Sequence, residues 1–203
     1  MDVIVTEFHY ENDLSGGSLM VRESRAIADL LLQGADVGQW EHQLYIENIL
    51  QKRSPASIKR DVSTIRKRLE RLNPDFWQLL HDGDDELAKQ IALCGVLERN
   101  PLLVEFMETV VKDAYVARSL QLENYYWTDF LNERAQRDRN IATWKDSSKK
   151  KMGQVAFRIL TEAGYIKSAQ SLELQHVMLR PEIIQLLELN NKQRIKACMQ
   201  MTS

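Results

Sequence analysis

The sequence predicts a mainly α-helical protein: an N-terminal helix-turn-helix-like bundle over residues 1–73, a central helical region over 74–137, and a C-terminal winged-helix-like module with a small β-hairpin over 138–203. Three observations lead there. Ile58, Val62, Ile65, Leu69 and Leu72 recur at alternating spacings of four and three, which places them on one face of a helix. Met152, Val155, Ala156, Ile159 and Leu160 form a second such face, ended by Gly164 and followed by two short apolar runs around a polar turn, the order of a helix and its wing. Between them, helical patterning continues and is broken at 82–85 and 100–101.

In chain order, residues 1–17 open with the β-leaning run VIVTEF and close in a turn of Asp13, Leu14, Ser15, Gly16 and Gly17. Leu19, Ile27, Leu30 and Leu31 define a helix over 18–33, with Ser18 as candidate cap and Gly34 just past its end. Trp40, Leu44, Ile46, Ile49 and Leu50 define a second over 39–51. The third starts at Ser54 and Pro55. The serine oxygen can accept from an otherwise unpaired N–H of the first turn, and proline lacks an N–H that would have no partner there. Three short helices with tight turns have the order of a helix-turn-helix, whose third helix enters the major groove. A plain three-helix bundle without a ligand has the same pattern, and the residues leave both readings standing.

The middle reads as helices over 76–81, 86–99, 101–120 and 122–137. Tyr125, Tyr126, Trp127 and Phe130 stand among the acids Glu123 and Asp129 with no interleaved bases, so packing of one helical layer on another is expected rather than stacking on single-stranded bases. Further on, Ser147 and Ser148 are candidate caps, and Gly164 is a left-handed stop. Tyr165 and Ile166 then face 174–179 as a hairpin whose tip is Ser168, Ala169, Gln170 and Ser171. Pro181 opens a last helix through Leu189, and the polar tail after Asn190 is expected to fray.

Charge is distributed unevenly although the net charge is only −2. From Lys52 to Arg71 eight basic residues stand against two acids, Asp61 and Glu70, and no regular four-residue alternation of acid and base is seen. That leaves the bases available for phosphates. From Lys145 to Lys167 six bases stand against Asp146 and Glu162, whereas 73–135 is rich in acids. Both ends thus carry a basic helix, and the acidic middle is expected to face away from a polyanion and toward partner proteins.

Enzymatic chemistry finds no support. His9, His42, His81 and His176 are scattered, with no metal-ligand spacing to one another or to Cys94 and Cys198. Residues 82–85 lack the ligand pattern of a calcium loop, and Gly16–Gly17 precede no phosphate-binding lysine. Neither a cofactor nor a metal is expected. Two isolated cysteines fit a reduced compartment, although spacing alone leaves a bond between them open. Without a secretory leader or a run of roughly 20 apolar residues, the chain reads as soluble and cytoplasmic.

SLMVRESRAIADLLLQG, SPASIKRDVSTIRKRLERL, YYWTDFL, WKDSSKKKMGQVAFRILTEAGYI and LRPEIIQLL, taken together and in this order, resemble the BrxA family of the BREX bacteriophage-exclusion systems. The resemblance runs over nearly the whole chain. It implies an all-helical, non-catalytic protein with winged-helix or helix-turn-helix modules that binds double-stranded DNA within a phage-defence complex. Members are also likened to the RNA-binding antitermination factor NusB and to membrane proteins; the hydropathy here contradicts the membrane label. The expected DNA contacts, read from the two basic helices, are Lys52, Arg53, Ser57, Lys59, Arg60, Arg66 and Lys67 in the first module. In the second they are Lys149, Lys150, Lys151, Gln154 and Arg158, with Lys167 and Gln170 on the wing. Lysine and arginine predominate over the side chains that read base edges, so backbone contacts with little sequence choice are expected. A protein-only adaptor among the other BREX components and a NusB-like RNA-binding protein are the rival readings.

Overall fold

The computed structural model describes residues 10–12 and 14–201. The expected β-leaning run VIVTEF and Asp13 of the expected turn lie outside them. After a single 3-10 turn, Leu14–Gly16, come α1 (Val21–Leu32), α2 (Val37–Glu41, continued by a π-helical turn His42–Ile46), α3 (Pro55–Leu69) and α4 (Pro74–Asp82). The middle holds α5 (Asp85–Arg99), α6 (Pro101–Phe106), α7 (Lys112–Val116) and α8 (Tyr126–Ala135), with a second π-helical turn, Met107–Val111, joining α6 to α7. Then follow α9 (Asn140–Thr143), α10 (Asp146–Glu162), α11 (Pro181–Leu189) and α12 (Gln193–Gln200). The mainly helical class is as predicted.

α5 is the axis of the molecule. Its residues from Leu87 to Leu97 are apolar on nearly every face, with the exceptions Lys89 and Gln90, and all but Lys89 are buried. A helix that is apolar all round belongs in a core rather than at a surface. It is started by Asp84, whose carboxylate accepts from the Leu87 N–H at 2.9 Å, with Asp85 and Glu86 in the first turn where the helix dipole favours negative charge. Around it pack α1, α3, α4, α6, α11 and α12. Gly95 lets α3 approach: a Cβ there would stand 3.3 Å from Cβ of Arg68.

Several expectations need correction. α1 is not capped by Ser18; its N-cap is Met20, in the left-handed region at φ 53°. The expected second helix stops short, because Asn48 (φ 49°) and Gln51 (φ 52°) turn the chain left-handed before α3, and Ile46 is left exposed. Ser147 and Ser148 lie inside the first turn of α10, whose N-cap Lys145 makes no side-chain cap bond. The two cysteines, by contrast, are free as the reduced reading expected, and both are buried.

The winged-helix hairpin does not form: among the described residues there is no strand, only isolated bridges at Ile166–Leu174 and Gln121–Glu173. The return leg divides its hydrogen bonds between two neighbours. Lys167 donates to Glu173 O at 2.8 Å and Gln175 to Tyr165 O at 2.8 Å, but Leu174 donates to Leu120 O at 3.0 Å and Leu172 O accepts from Leu122 at 2.9 Å. With Leu172 left-handed at φ 51°, no continuous ladder can build. Gly164 is the left-handed stop that was expected, at φ 85°. The tail after Asn190 is not frayed but forms α12, which buries Ile195, Cys198 and Met199.

The aromatic cluster divides. Trp127 and Phe130 are buried against Phe106, with ring centroids 5.0 and 5.3 Å away, while Tyr125 is exposed. Gly153 of α10 lies against Trp127, where a Cβ would meet Cδ1 at 2.6 Å.

Candidate nucleic-acid interface

α3 is built as its sequence demands. Ser54 Oγ accepts from Ser57 N–H at 3.3 Å and Pro55 occupies the first turn. Ile58, Ile65 and Leu69 are buried, and Leu72 is buried just beyond the helix; each such side chain contributes roughly 1.5–3 kcal/mol by leaving water. The opposite face carries Lys59, Arg60, Ser63, Arg66 and Lys67, within an arc of about 120° at 100° per residue.

The expected contacts of this module separate into three groups. Lys52 is turned inward by the left-handed loop, pinned by Asn48, whose side chain bonds both the N–H and the C=O of Lys52 at 3.0 Å. Its ammonium lies 2.9 Å from Glu23 of α1 and 3.0 Å from Asp61 of α3, so its charge is paired within the fold. Arg60 and Arg66 are exposed yet paired, Arg60 with Asp61 at 3.1 Å and Arg66 with Glu70 at 2.8 Å. Arg66 also lies over the Trp40 ring at 5.0 Å. The Arg66–Glu70 pair is a four-residue intrahelical pair where no regular pattern was expected. Arg53, Lys59 and Lys67 are exposed and have no ion-pair partner among the described residues. Ser57 is half-buried and its hydroxyl is engaged by Ser54 at 3.0 Å. Arg68, not among the candidates, is buried and holds Ser18 O at 2.7 Å and Gly17 O at 3.1 Å.

On α10 the apolar face is again buried at Met152, Ala156, Ile159 and Leu160, with Gly153 and Phe157 alongside. Lys150, Lys151, Gln154 and Arg158 are exposed and fall within an arc of about 100°. None of the three cations has an ion-pair partner among the described residues. Lys149 turns toward α8: its carbonyl accepts from Trp127 Nε1 at 3.0 Å and its ammonium stands 4.0 Å from Asp146. Lys149, Lys150 and Gln154 border a cavity of about 620 Å³ between α8 and α10, floored by Trp127, Leu131 and Phe157. At the expected wing, Lys167 is paired with Glu173 at 3.0 Å, and Ser168 Oγ accepts from Ser171 N–H at 3.0 Å. Gln170 is exposed at the tip of that turn.

The segment 14–19 links the two helices, which sequence alone did not reveal. Leu14–Gly16 packs on both α3 and α10. Leu19 N–H donates to Glu162 at the end of α10 at 2.7 Å, and Thr64 Oγ1 of α3 donates to Gly16 O at 3.3 Å. Lys150 lies twelve residues before Glu162, about 18 Å along the helix axis from that junction. No group of three or more His, Cys, Asp or Glu able to hold a metal ion occurs among the described residues, and none of their helices is long and apolar enough to cross a membrane.

The BrxA family model matches residues 8–191. The chain belongs to the BrxA family. Similar relatives include the BREX protein BrxA of Paramagnetospirillum magneticum, 36% identical over 198 residues that cover 98% of this chain and 100% of the relative. The BREX protein BrxA of Escherichia coli is 37% identical over 170 residues, covering 84% of this chain and 80% of that protein. The fold is similar to the crystal structure of an uncharacterized protein from Magnetospirillum magneticum, with a TM-score of 0.85 and 35% identity over 95% of this chain and 99% of that one. Family membership confirms the sequence resemblance. In this BrxA-family chain the best-defined basic surface is the face of α10, joined to that of α3 through the segment 14–19.

Proposed function

We propose that this chain is a non-catalytic, double-stranded DNA-binding component of a BREX phage-defence system acting in the cytoplasm, and that it holds the duplex backbone with the exposed faces of α10 and α3. The observation that carries the reading is the face of Lys150, Lys151, Gln154 and Arg158, whose cations have no ion-pair partner among the described residues. A fold that satisfies Lys52, Arg134, Arg180 and Arg194 with carboxylates leaves these cations to solvent on one side of one helix. Lys59 and Lys67 of α3 and Arg53 just before it add to the surface, with Arg60, Arg66, Lys167 and Gln170 at its margins. Phosphate contacts by such groups give affinity without base reading.

The test is fluorescence anisotropy with labelled duplexes of several sequences at a series of salt concentrations. Contact with about five phosphates gives a log–log salt slope of roughly −4 to −5. Replacing Lys150, Lys151 and Arg158 together by Glu should abolish binding to every duplex alike while the far-UV spectrum is retained. The same change at Lys59 and Lys67 should weaken it. Wild-type affinity in the α10 variant would sink the reading, and preferential displacement by structured RNA would transfer the same surface to an RNA ligand.

A further inference from the structure

A second surface has the opposite character. Val110, Ala114 and Ala117 floor a groove of about 420 Å³ between the helical segment 107–117 and α8, and the carboxylates of Asp113, Asp129 and Glu133 border it. Among the described residues no basic side chain lines it. Glu133 is paired with Arg134 and Arg137, whereas Asp113 and Asp129 are exposed and have no ion-pair partner among the described residues. Next to groove residues in the chain stand Val116, Leu120 and Tyr125, which are 57%, 85% and 57% exposed. The backbone around Leu120 is fixed, since its carbonyl accepts from Leu174 N–H at 3.0 Å and Leu122 N–H donates to Leu172 O at 2.9 Å. Large apolar side chains held outward on an ordered backbone beside charge have the make-up of a protein-interaction surface. Desolvation first, and then the neighbouring charges of the Tyr126 phenolate and the Glu123 and Asp129 carboxylates, push the Tyr125 phenol above its ordinary value.

We propose that the groove docks a basic amphipathic helical segment of a partner protein, with an apolar anchor over Ala114 and Ala117 and lysines or arginines facing Asp113 and Asp129. Charge selects the occupant. The carboxylates repel phosphates and acidic segments, so this surface is separate from the basic faces of α3 and α10 and does not depend on what those bind. A second copy of this chain is a poor fit: its basic faces belong to helices whose apolar residues, such as Ile58, Ile65, Met152 and Ile159, are already buried in its own core. The alanines leave a shallow floor on which a helix can lie close, the usual form of helix-in-groove recognition.

The experiment titrates the full chain into a fluorescein-labelled amphipathic peptide of about 15 residues, long enough to form a helix, with leucines along one face and lysines flanking them. A scrambled peptide of the same composition and one with glutamate in place of lysine serve as probes of pattern and charge. Saturable binding of the first peptide alone is expected, weakened about tenfold by Asp113→Lys or Asp129→Lys and lost in Ala117→Trp, which obstructs the floor at an exposed position. Melting curves should match wild type for the Asp113 and Ala117 variants. Asp129→Asn, which keeps the size of the side chain, should weaken binding less than Asp129→Lys. Equal binding of the scrambled peptide, unchanged affinity in the variants, or no binding at millimolar peptide would overturn the proposal. So would a self-association, seen by sedimentation velocity, that Asp113→Lys removes.

Discussion

Lys52 shows how a backbone turn can direct one member of a basic run inward. In the sequence it opens a basic run; in the fold, the left-handed Asn48 and Gln51, within the loop that the Asn48–Lys52 bonds close, turn the chain so that its ammonium meets Glu23 and Asp61. Burial tends to raise the Glu23 carboxyl, but hydrogen bonds from Lys52, its own backbone and Arg22 outweigh that and hold it below its ordinary 4.5. A carboxyl depressed in the folded state contributes stability that is present above its unfolded value and is lost as pH falls through the folded one. Glu23→Gln should therefore lower stability by about 2 kcal/mol near neutrality, the scale of a hydrogen bond to a charged group. The gap between the melting temperatures of wild type and variant should close as pH falls below about 4.5. A gap of constant size from pH 7 to pH 3, approximate limits chosen to span that value, would mean that the ion cluster is not what the variant loses. What was legible at residue scale was the sign of the charge; its direction was set by backbone turns that no periodicity records.

At the scale of elements, crossings matter as much as helices. α10 meets α8 at Gly153, and Trp127 fills the space its missing side chain leaves. Gly153→Val should force the helix or the Trp127 ring to shift and cost about 3 kcal/mol, from overpacking against a buried aromatic ring. In a chain of this size that corresponds to a fall of roughly 6–12 °C in Tm, read by circular dichroism. A variant that melts with the wild type would show that the helix or the ring can shift without loss. The elements written most clearly in the sequence are the ones whose signals are local. Ser54–Pro55 starts α3, Gly164 stops α10, and Pro181–Leu189 has the bounds its proline and apolar spacing implied. The hairpin failed because its return leg bonds partly to Leu120 and Leu122, about fifty residues earlier. Two apolar runs around a polar turn cannot reveal that a third strand-like segment competes for them. The basic faces were legible for the same local reason, whereas their connection through 14–19 depends on contacts between residues separated by up to 143 positions.

At the scale of the whole molecule, the C-terminal segment decides whether the central helix stays buried. Its polar opening, Asn190, Asn191 and Lys192, suggested fraying, yet Ile195, Cys198, Met199 and Met201 close over the core. Met199 O accepts from the Tyr165 hydroxyl at 2.6 Å, Lys192 pairs with Glu98 at 3.0 Å, and Arg194 grips Glu108 with two bonds of 2.9 and 2.7 Å. Cys94 of α5 touches Met199, its sulfur 3.4 Å from Sδ, and burial pushes both thiols up, Cys198 to about 12. Deleting everything after Asn190 would uncover the core on which Ile195, Met199 and Met201 pack and remove their burial, worth about 5–9 kcal/mol together. That is comparable to the entire stability of an ordinary domain. The truncated chain should lose its near-UV signal and its cooperative melt, and Cys94 should react with a thiol reagent within minutes at pH 8, whereas neither cysteine of the intact chain should react until it unfolds. The intact chain reacting at the rate of a free thiol would contradict the burial of Cys94 and Cys198. A truncated chain that still melts cooperatively near the wild-type temperature would make α12 an appendage and leave α5 stabilised by its other neighbours alone.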